Sequence, residues 1–110
     1  MRKILNDVEL HQYCVDCRKV AEDDSASYRT IDYRDVSIEC IYVKARRESA
    51  SRWMPDDAIL IVHSDCTIQI DQAHARVKSG DIFKFIRPVN IKVINSHWLK
   101  RVKCSILQKR

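Results

Sequence analysis

Cys14 and Cys17 form a C-x-x-C motif, and His11 lies three residues before it, so these side chains could bind zinc or form a redox pair. A tetrahedral zinc site needs four such ligands, and the sequence contains no second C-x-x-C and no H-x₃-H to complete one. On a helix the three residues lie at i, i+3 and i+6 and drift around the cylinder. The motif also lacks the strand-to-helix context that lowers a thiol pKa. We therefore interpret both cysteines as core residues of an amphipathic helix.

The other residues able to do acid-base, nucleophilic or metal chemistry are scattered along the chain. Asp57, His63, Cys66 and His97 stand in no local pattern typical of a catalytic pair. Asp56 and Asp57 are adjacent, and neighbours on a strand point to opposite faces, so they cannot share a proton. One glycine in the whole chain argues against a glycine-rich phosphate loop. We expect no catalytic residue, and structural roles for His63 and Cys66.

The first element that positions these side chains is a predicted helix. Apolar residues follow one helical face at Leu10, Tyr13, Cys14, Cys17, Val20 and Ala21. Asn6 and Glu9 fit a capping box at its start. The composition of the acidic run EDDSAS, rather than a glycine, predicts its end. The pattern predicts an α-helix over about residues 7–22.

After Ser27 the apolar period changes to two, which is typical of β-strands. Eight short runs are rich in Val, Ile, Phe and Tyr, namely residues 27–33, 35–45, 57–64, 66–71, 74–78, 81–86, 89–95 and 98–108. The last run also fits a helix, and we choose a strand whose inward side carries Trp98, Val102, Cys104 and Ile106. With Gly80 as the only glycine, we expect positive φ angles to fall on Asn and Asp.

These runs predict a mostly β fold in a single domain, residues 1–110, with the strands forming a sandwich or barrel over about residues 27–108. The net charge is +5, with basic runs at residues 44–47 and 100–110, which permits nucleic-acid binding but supports it weakly. No apolar run is long enough to span a membrane, and the first residues do not form a secretory signal. We expect a cytoplasmic protein whose five cysteines are reduced.

Residues 56–95 carry a recognisable order of turns and strands. Ser64 and Asp65 stand at a first turn and Gly80 and Asp81 at a second, Pro88 lies near a third, and Asn95 ends the stretch. This order resembles the core of the cupin superfamily, and especially the sensor domains of AraC-type regulators. The resemblance implies a small jelly-roll barrel, here with one N-terminal helix packed on it. It implies little about activity, because cupins include isomerases, oxygenases, storage proteins and sensors.

The sequence departs from the metal-binding cupins at the positions where the family holds its ion. By the spacing of the family motifs, two histidines, a glutamate and a third histidine correspond to positions near Ser51, Trp53, Asp57 and Ile91. Asp57 alone among these could ligate, and one carboxylate does not retain a transition metal. We therefore predict a barrel with no metal and no cofactor, whose interior Trp53 and Ile91 make apolar.

The resemblance and the apolar replacements together predict a small-ligand-binding or sensor-like module rather than an enzyme. Its predicted ligand-binding residues are Tyr42, Ser51, Trp53, Asp57, Phe83, Phe85, Ile91 and Trp98. A small organic ligand is the expected partner, and the family implies a homodimer formed through the helix or an edge strand. The alternative is a cupin enzyme, an isomerase or metal-dependent oxygenase, whose unusual ligand set comes from Asp57, His63, His97 or Cys66.

Overall fold

The computed structural model describes residues 18–22 and 25–109. These residues form ten β-strands: β1 (Arg18–Glu22), β2 (Ala26–Tyr33), β3 (Val36–Val43), β4 (Arg52–Met54), β5 (Ile59–Val62), β6 (Cys66–Ile70), β7 (Ala73–Val77), β8 (Ile82–Lys84), β9 (Val89–Ile94) and β10 (Val102–Lys109). The part of the chain so described contains no α-helix, and hence none with the length and apolar character needed to cross a membrane. The predicted mostly β fold is confirmed.

The strands assemble into two antiparallel sheets. The larger sheet has the order β1-β2-β3-β10-β5-β8, and the smaller has the order β4-β9-β6-β7. Strand β10 lies between β3 and β5, so the last strand of the chain is central in the larger sheet. The main core draws side chains from both sheets: Ala26, Tyr28, Ile41, Val43, Met54, Ala58, Leu60, Val62, Ile68, Val77, Val89, Ile91, Val93, Val102, Cys104 and Ile106.

The period of two decides which side chains enter this core. On β3, Ile41 and Val43 are buried between the sheets, whereas Ile38 and Cys40 belong to a separate cluster on the opposite face. On β10, Val102, Cys104 and Ile106 point inward as predicted, with Cys104 opposite Val62 and Ile106 opposite Leu60. The larger sheet therefore buries apolar residues on both faces.

All eight predicted runs coincide with strands, but the sequence prediction differs from the structure in three places. The helix predicted over residues 7–22 is wrong at its end, because Arg18–Glu22 forms β1 and pairs with β2. Residues 7–17 lie outside the described residues. Strand β4 was not predicted, because its three residues sit in a run of serines and arginines that reads as a loop. Trp98 lies before β10 and is 72% exposed rather than inward.

The two turns singled out from the sequence meet in the structure. Asp65 accepts a hydrogen bond from the Ser79 N–H at 2.9 Å, and Ser79 Oγ donates to the His63 carbonyl at 2.9 Å. Gly80 has φ +95°, which explains a glycine there. The other positive φ angles in the described residues occur at Arg34, Arg46 and Asp71, so the expectation of Asn and Asp is right only for Asp71.

Candidate functional site

The inner face of the larger sheet changes from apolar to polar along its strands. At one end, polar side chains continue the inward-facing positions that buried core residues occupy further along each strand: Thr30 on β2, Ser37 and Glu39 on β3, and Gln108 on β10. The register brings them together, since Glu39 pairs with both Thr30 and Ile106, and Ser37 pairs with Gln108. A polar patch therefore ends the apolar core.

Strand β4 of the smaller sheet faces this patch and forms a cleft of about 290 Å³ with it. We call it the Glu39–Arg52 cleft. It is lined by Thr30, Ser37, Glu39, Arg52, Trp53, Ile106 and Gln108. The cleft is close to the lower end of the range of roughly 300 to 1,000 Å³ found for pockets that hold organic ligands.

Arg52 connects the two sheets inside the cleft. Its Nε donates to Glu39 Oε1 at 2.9 Å, and its guanidinium carbon lies 4.4 Å from the centroid of the Tyr28 ring. Tyr28 is buried, and its hydroxyl accepts a hydrogen bond from the Ala50 N–H at 2.8 Å, two residues before β4 begins. An aromatic face and a carboxylate thus hold the guanidinium in place before any ligand arrives.

The charge of the cleft follows from this pair. The Arg52 and Glu39 side chains are 31% and 26% exposed, so each is partly desolvated but reachable from solvent. Since they neutralise each other, the cleft presents hydrogen-bonding groups and little net charge. Hydroxyls of Thr30 and Ser37 and the amide of Gln108 add donors and acceptors.

The structure distributes the eight predicted ligand-binding residues over separate places. Trp53 lines the Glu39–Arg52 cleft and is 62% exposed. Ser51 and Ile91 line a polar groove of about 600 Å³ beside β6 and β9. Phe83 and Phe85 stack with their ring centroids 6.5 Å apart and pack against the main core.

The other three predicted residues lie away from the interior between the sheets. Tyr42 belongs to the outer-face cluster of the larger sheet and lies beneath Arg29 and Lys103. Asp57 is exposed just before β5. Trp98 is covered on one face by Arg46, whose guanidinium carbon is 4.0 Å from a ring centroid of the tryptophan. The eight side chains therefore do not form one apolar pocket.

The pairing of β4 with β9 determines which residues of β4 face the core. Arg52 pairs with Ile91, and Met54 pairs with Val89. Ile91 and Met54 are buried, so the inward side of β4 carries Arg52 and Met54 rather than Ser51 and Trp53. Ile91 is thus part of the buried core, and Arg52 lies directly across from it on β4.

The alternative ligand set of Asp57, His63, His97 and Cys66 is not brought to one point. His63 Nε2 shares a hydrogen bond of 2.8 Å with Ser105 Oγ on the outer face, and burial lowers the pKa of His63. His97 Nε2 donates to the Asp65 carbonyl at 2.8 Å, and Cys66 lies against Cys104. Among the described residues, no three His, Cys, Asp or Glu side chains are grouped to hold a metal ion.

Sequence reasoning missed Glu39, Arg52, Thr30 and Gln108. One signal was available, because Ser37 and Glu39 share the strand phase of Ile41 and Val43 and so had to face the same way. Nothing local marked Arg52, since its direction depends on the pairing of β4 with β9.

Solved structures similar to this chain include several cupins. A vicilin from Solanum melongena superimposes with a TM-score of 0.70 at 14% identity, over 84% of this chain and 30% of the vicilin. A cupin-superfamily protein from Silicibacter pomeroyi, described as a sugar phosphate isomerase, has a TM-score of 0.64 at 14% identity, over 79% of this chain and 60% of that protein. A cupin domain from Bordetella pertussis has a TM-score of 0.64 at 12% identity, over 82% of this chain and 98% of that domain.

No protein-family model and no curated protein matches the sequence. This chain covers about 30% of the vicilins and 60% of the isomerase, and at these identities the likeness concerns the fold. The two antiparallel sheets and these neighbours together show that the chain has a cupin-like fold.

Proposed function

We propose that the chain is a non-enzymatic, sensor-like cupin module that binds a small, neutral, hydroxyl-rich ligand in the Glu39–Arg52 cleft. The observation that carries the proposal is the Glu39–Arg52 pair, held at 2.9 Å at the polar end of the core. Its carboxylate oxygens accept hydrogen bonds, and the remaining guanidinium N–H groups of Arg52 donate them, which suits hydroxyl groups that do both.

The charge of the cleft supports a neutral ligand over an anionic one. Glu39 already offsets Arg52, and a ligand carboxylate or phosphate would have to displace Glu39 from the guanidinium or lie beside it. Trp53 at the edge of the cleft offers an exposed ring against which the apolar face of a sugar or polyol can pack. The sequence predicts a small organic ligand in an apolar barrel interior, and that location is less well supported, because buried side chains fill the space between the sheets.

One structural neighbour is described as a sugar phosphate isomerase. This description is consistent with a hydroxyl-rich ligand in this fold, but it concerns that protein. For this chain we favour binding over turnover, since the cleft brings together one ion pair, two hydroxyls and an amide. Conversion of a bound sugar into another compound, followed by NMR, would support the enzyme alternative instead.

A thermal-shift screen tests the proposal with monosaccharides, polyols, sugar phosphates and apolar compounds of similar size. A ligand at 100 times its Kd adds about 2.7 kcal/mol to the free energy of unfolding. We expect neutral sugars or polyols to raise the Tm and Glu39→Gln or Arg52→Met to abolish the shift.

The matched control is Glu48→Gln, which removes an exposed carboxylate paired with Lys92 outside the cleft. This variant should keep the ligand-induced shift. The proposal is overturned if folded wild-type protein responds to none of the hydroxylated compounds, or if both cleft variants bind as the wild type does.

A further inference from the structure

Two cysteines from different sheets meet near one end of the molecule. Cys66 is the first residue of β6 in the smaller sheet, and Cys104 lies on β10 in the larger sheet. Their Sγ atoms are 4.0 Å apart, and both are present as thiols. Cys104 is fully buried in the main core, whereas Cys66 is half-buried at its border.

A cleft of about 310 Å³ gives solvent access to Cys66. It is lined by Asp65, Cys66, Thr67, Arg76, Val77, Lys78, Ser96 and His97. Cys104 is not among the lining residues, so a small solute reaches Cys66 first and finds Cys104 behind it. This cleft is distinct from the Glu39–Arg52 cleft and shares no residue with it.

The contact between the two sulfurs gives them different chemistry. The hydrogen bond from Cys104 lowers the pKa of Cys66, against the opposing effects of burial and of Asp65. The same hydrogen bond, together with burial, raises the pKa of Cys104. Of the two thiols, Cys66 is therefore the one that ionises more readily.

We propose that Cys66 is an oxidation site for small hydroperoxides and that Cys104 resolves the product into an intramolecular disulfide between the sheets. The Cys66 thiolate attacks one oxygen of ROOH and breaks the O–O bond, which gives Cys66–SOH and RO⁻. The Cys104 sulfur then attacks the Cys66 sulfur while the Cys104 proton passes to the departing hydroxyl group, so that the S–S bond forms, the S–OH bond breaks and water leaves. The two thiols lose two electrons, which reduce the hydroperoxide to ROH and water.

The geometry favours this pairing over the other thiol in the described residues. Cys40 lies on the outer face of the larger sheet, where its Sγ is 3.6 Å from Ser105 Oγ. A disulfide needs its two sulfurs about 2.05 Å apart, and Cys66 and Cys104 are separated by a gap that side-chain rotation can reduce.

Peptide mapping of the full chain tests the proposal. After brief exposure to hydrogen peroxide, the remaining thiols are blocked with iodoacetamide and the protein is digested with trypsin without reduction. Cleavage after Arg52, Arg76, Lys103 and Lys109 places Cys66 in peptide 53–76 and Cys104 in peptide 104–109. We expect these two peptides to be covalently joined, and reducing agent to separate them.

Three variants give the matched comparison. Cys66→Ser should abolish the joined peptide, and Cys40→Ser should leave it unchanged. In Cys104→Ser, whose hydroxyl still donates a hydrogen bond to Cys66 but cannot form a disulfide, Cys66–SOH should persist and react with dimedone, which a merely structural contact would not produce. In wild-type protein, Cys66 should oxidise at least about tenfold faster than Cys40.

Two results obtained with the wild-type protein alone would overturn the proposal. One is wild-type protein in which peroxide joins Cys66 to Cys14, Cys17 or Cys40 rather than to Cys104. The other is wild-type protein in which Cys40 oxidises as fast as Cys66.

Discussion

Lys103, on the outer face of the larger sheet, should make the free energy of unfolding depend on pH. It lies directly opposite Tyr42 on the neighbouring strand, and its Nζ is 5.1 Å from the centroid of that ring. The residue is 6% exposed, and burial lowers the pKa of Lys103 to about 8. The unfolded chain has the ordinary lysine pKa of about 10.4, so it binds more protons than the folded chain between these two values.

Stability should therefore rise with pH across this window because of Lys103. The unfavourable effect of its charge is fully present below pH 8 and disappears as the pH approaches the unfolded pKa. We expect the free energy of unfolding of the wild type, relative to Lys103→Met, to increase by about 1 kcal/mol between pH 7 and pH 9. Urea unfolding at several pH values measures this difference.

The control for this prediction is Lys109→Met, which removes an exposed lysine from the same strand. Its stability relative to the wild type should not change over the same pH range. If the difference in free energy of unfolding between wild type and Lys103→Met stays constant, or falls as the pH rises, the lowered pKa of Lys103 is contradicted.

Asn95 ends the stretch of residues 56–95 that resembles the cupin core, and its contacts explain why an asparagine stands there. It is buried, and its Nδ2 donates to the carbonyls of Val43 and Lys100 at 3.1 Å and 2.6 Å. Its Oδ1 accepts a hydrogen bond from the His97 N–H at 3.0 Å. The side chain thus holds the segment before β10 against the end of β3.

At the scale of elements, the turn between β7 and β8 is where a single backbone angle matters most. Gly80 has φ +95°, and a Cβ built there would meet no atom within 4 Å. A side chain at this position is therefore unfavourable because of backbone conformation and not because of crowding. We expect Gly80→Ala to lower the free energy of unfolding by about 1 kcal/mol, as measured by chemical denaturation.

Gly80→Asn should lose less stability than Gly80→Ala, since asparagine tolerates positive φ better than other residues with a Cβ. Lys78→Ala, in the same turn, measures the effect of a surface truncation without a change in φ. Gly80→Ala protein as stable as the wild type would show that the turn relaxes to another conformation.

The sequence predicted eight of the ten described strands, because each lies in a run that is rich in β-branched or aromatic residues and bounded by turn formers. It failed for β1, where Val20 and Ala21 also fit the helical spacing set by Cys14 and Cys17, and pairing with β2 decides the outcome. It failed for β4 because this three-residue strand follows a run of serines and arginines, whereas β8, which is equally short, lies in a run rich in Ile and Phe. The same short strand places Arg52 in the cleft, so the missed strand and the missed site residue have one cause.

For the whole molecule, the fold constrains function weakly. The structural neighbours include vicilins and a protein described as a sugar phosphate isomerase, all with similar sheets. In this chain, Ile91 packs in the core between the sheets and Arg52 pairs with Glu39. Sequence resemblance predicted the order of turns and strands, but only the pairing of distant strands defines that cleft.

The edge strands of the sheets are candidate contacts between copies of the chain. Among the described strands, β8 ends the larger sheet, and Ile82 and the following Ile86 are 39% and 99% exposed. A strand edge with exposed apolar side chains can pair with another chain. The resemblance to sensor domains predicts a homodimer, and we assign its contact to this β8 edge.

Light scattering coupled to size-exclusion chromatography tests the assignment. We expect wild-type protein to have twice the 12.9 kDa mass of one chain. Ile86→Lys should give the single-chain mass, because an ammonium group would be buried in the contact. Leu99→Lys, which alters an equally exposed residue before β10, should remain dimeric. A monomeric wild type would refute the homodimer, and a dimer broken by Leu99→Lys but not by Ile86→Lys would move the contact away from β8.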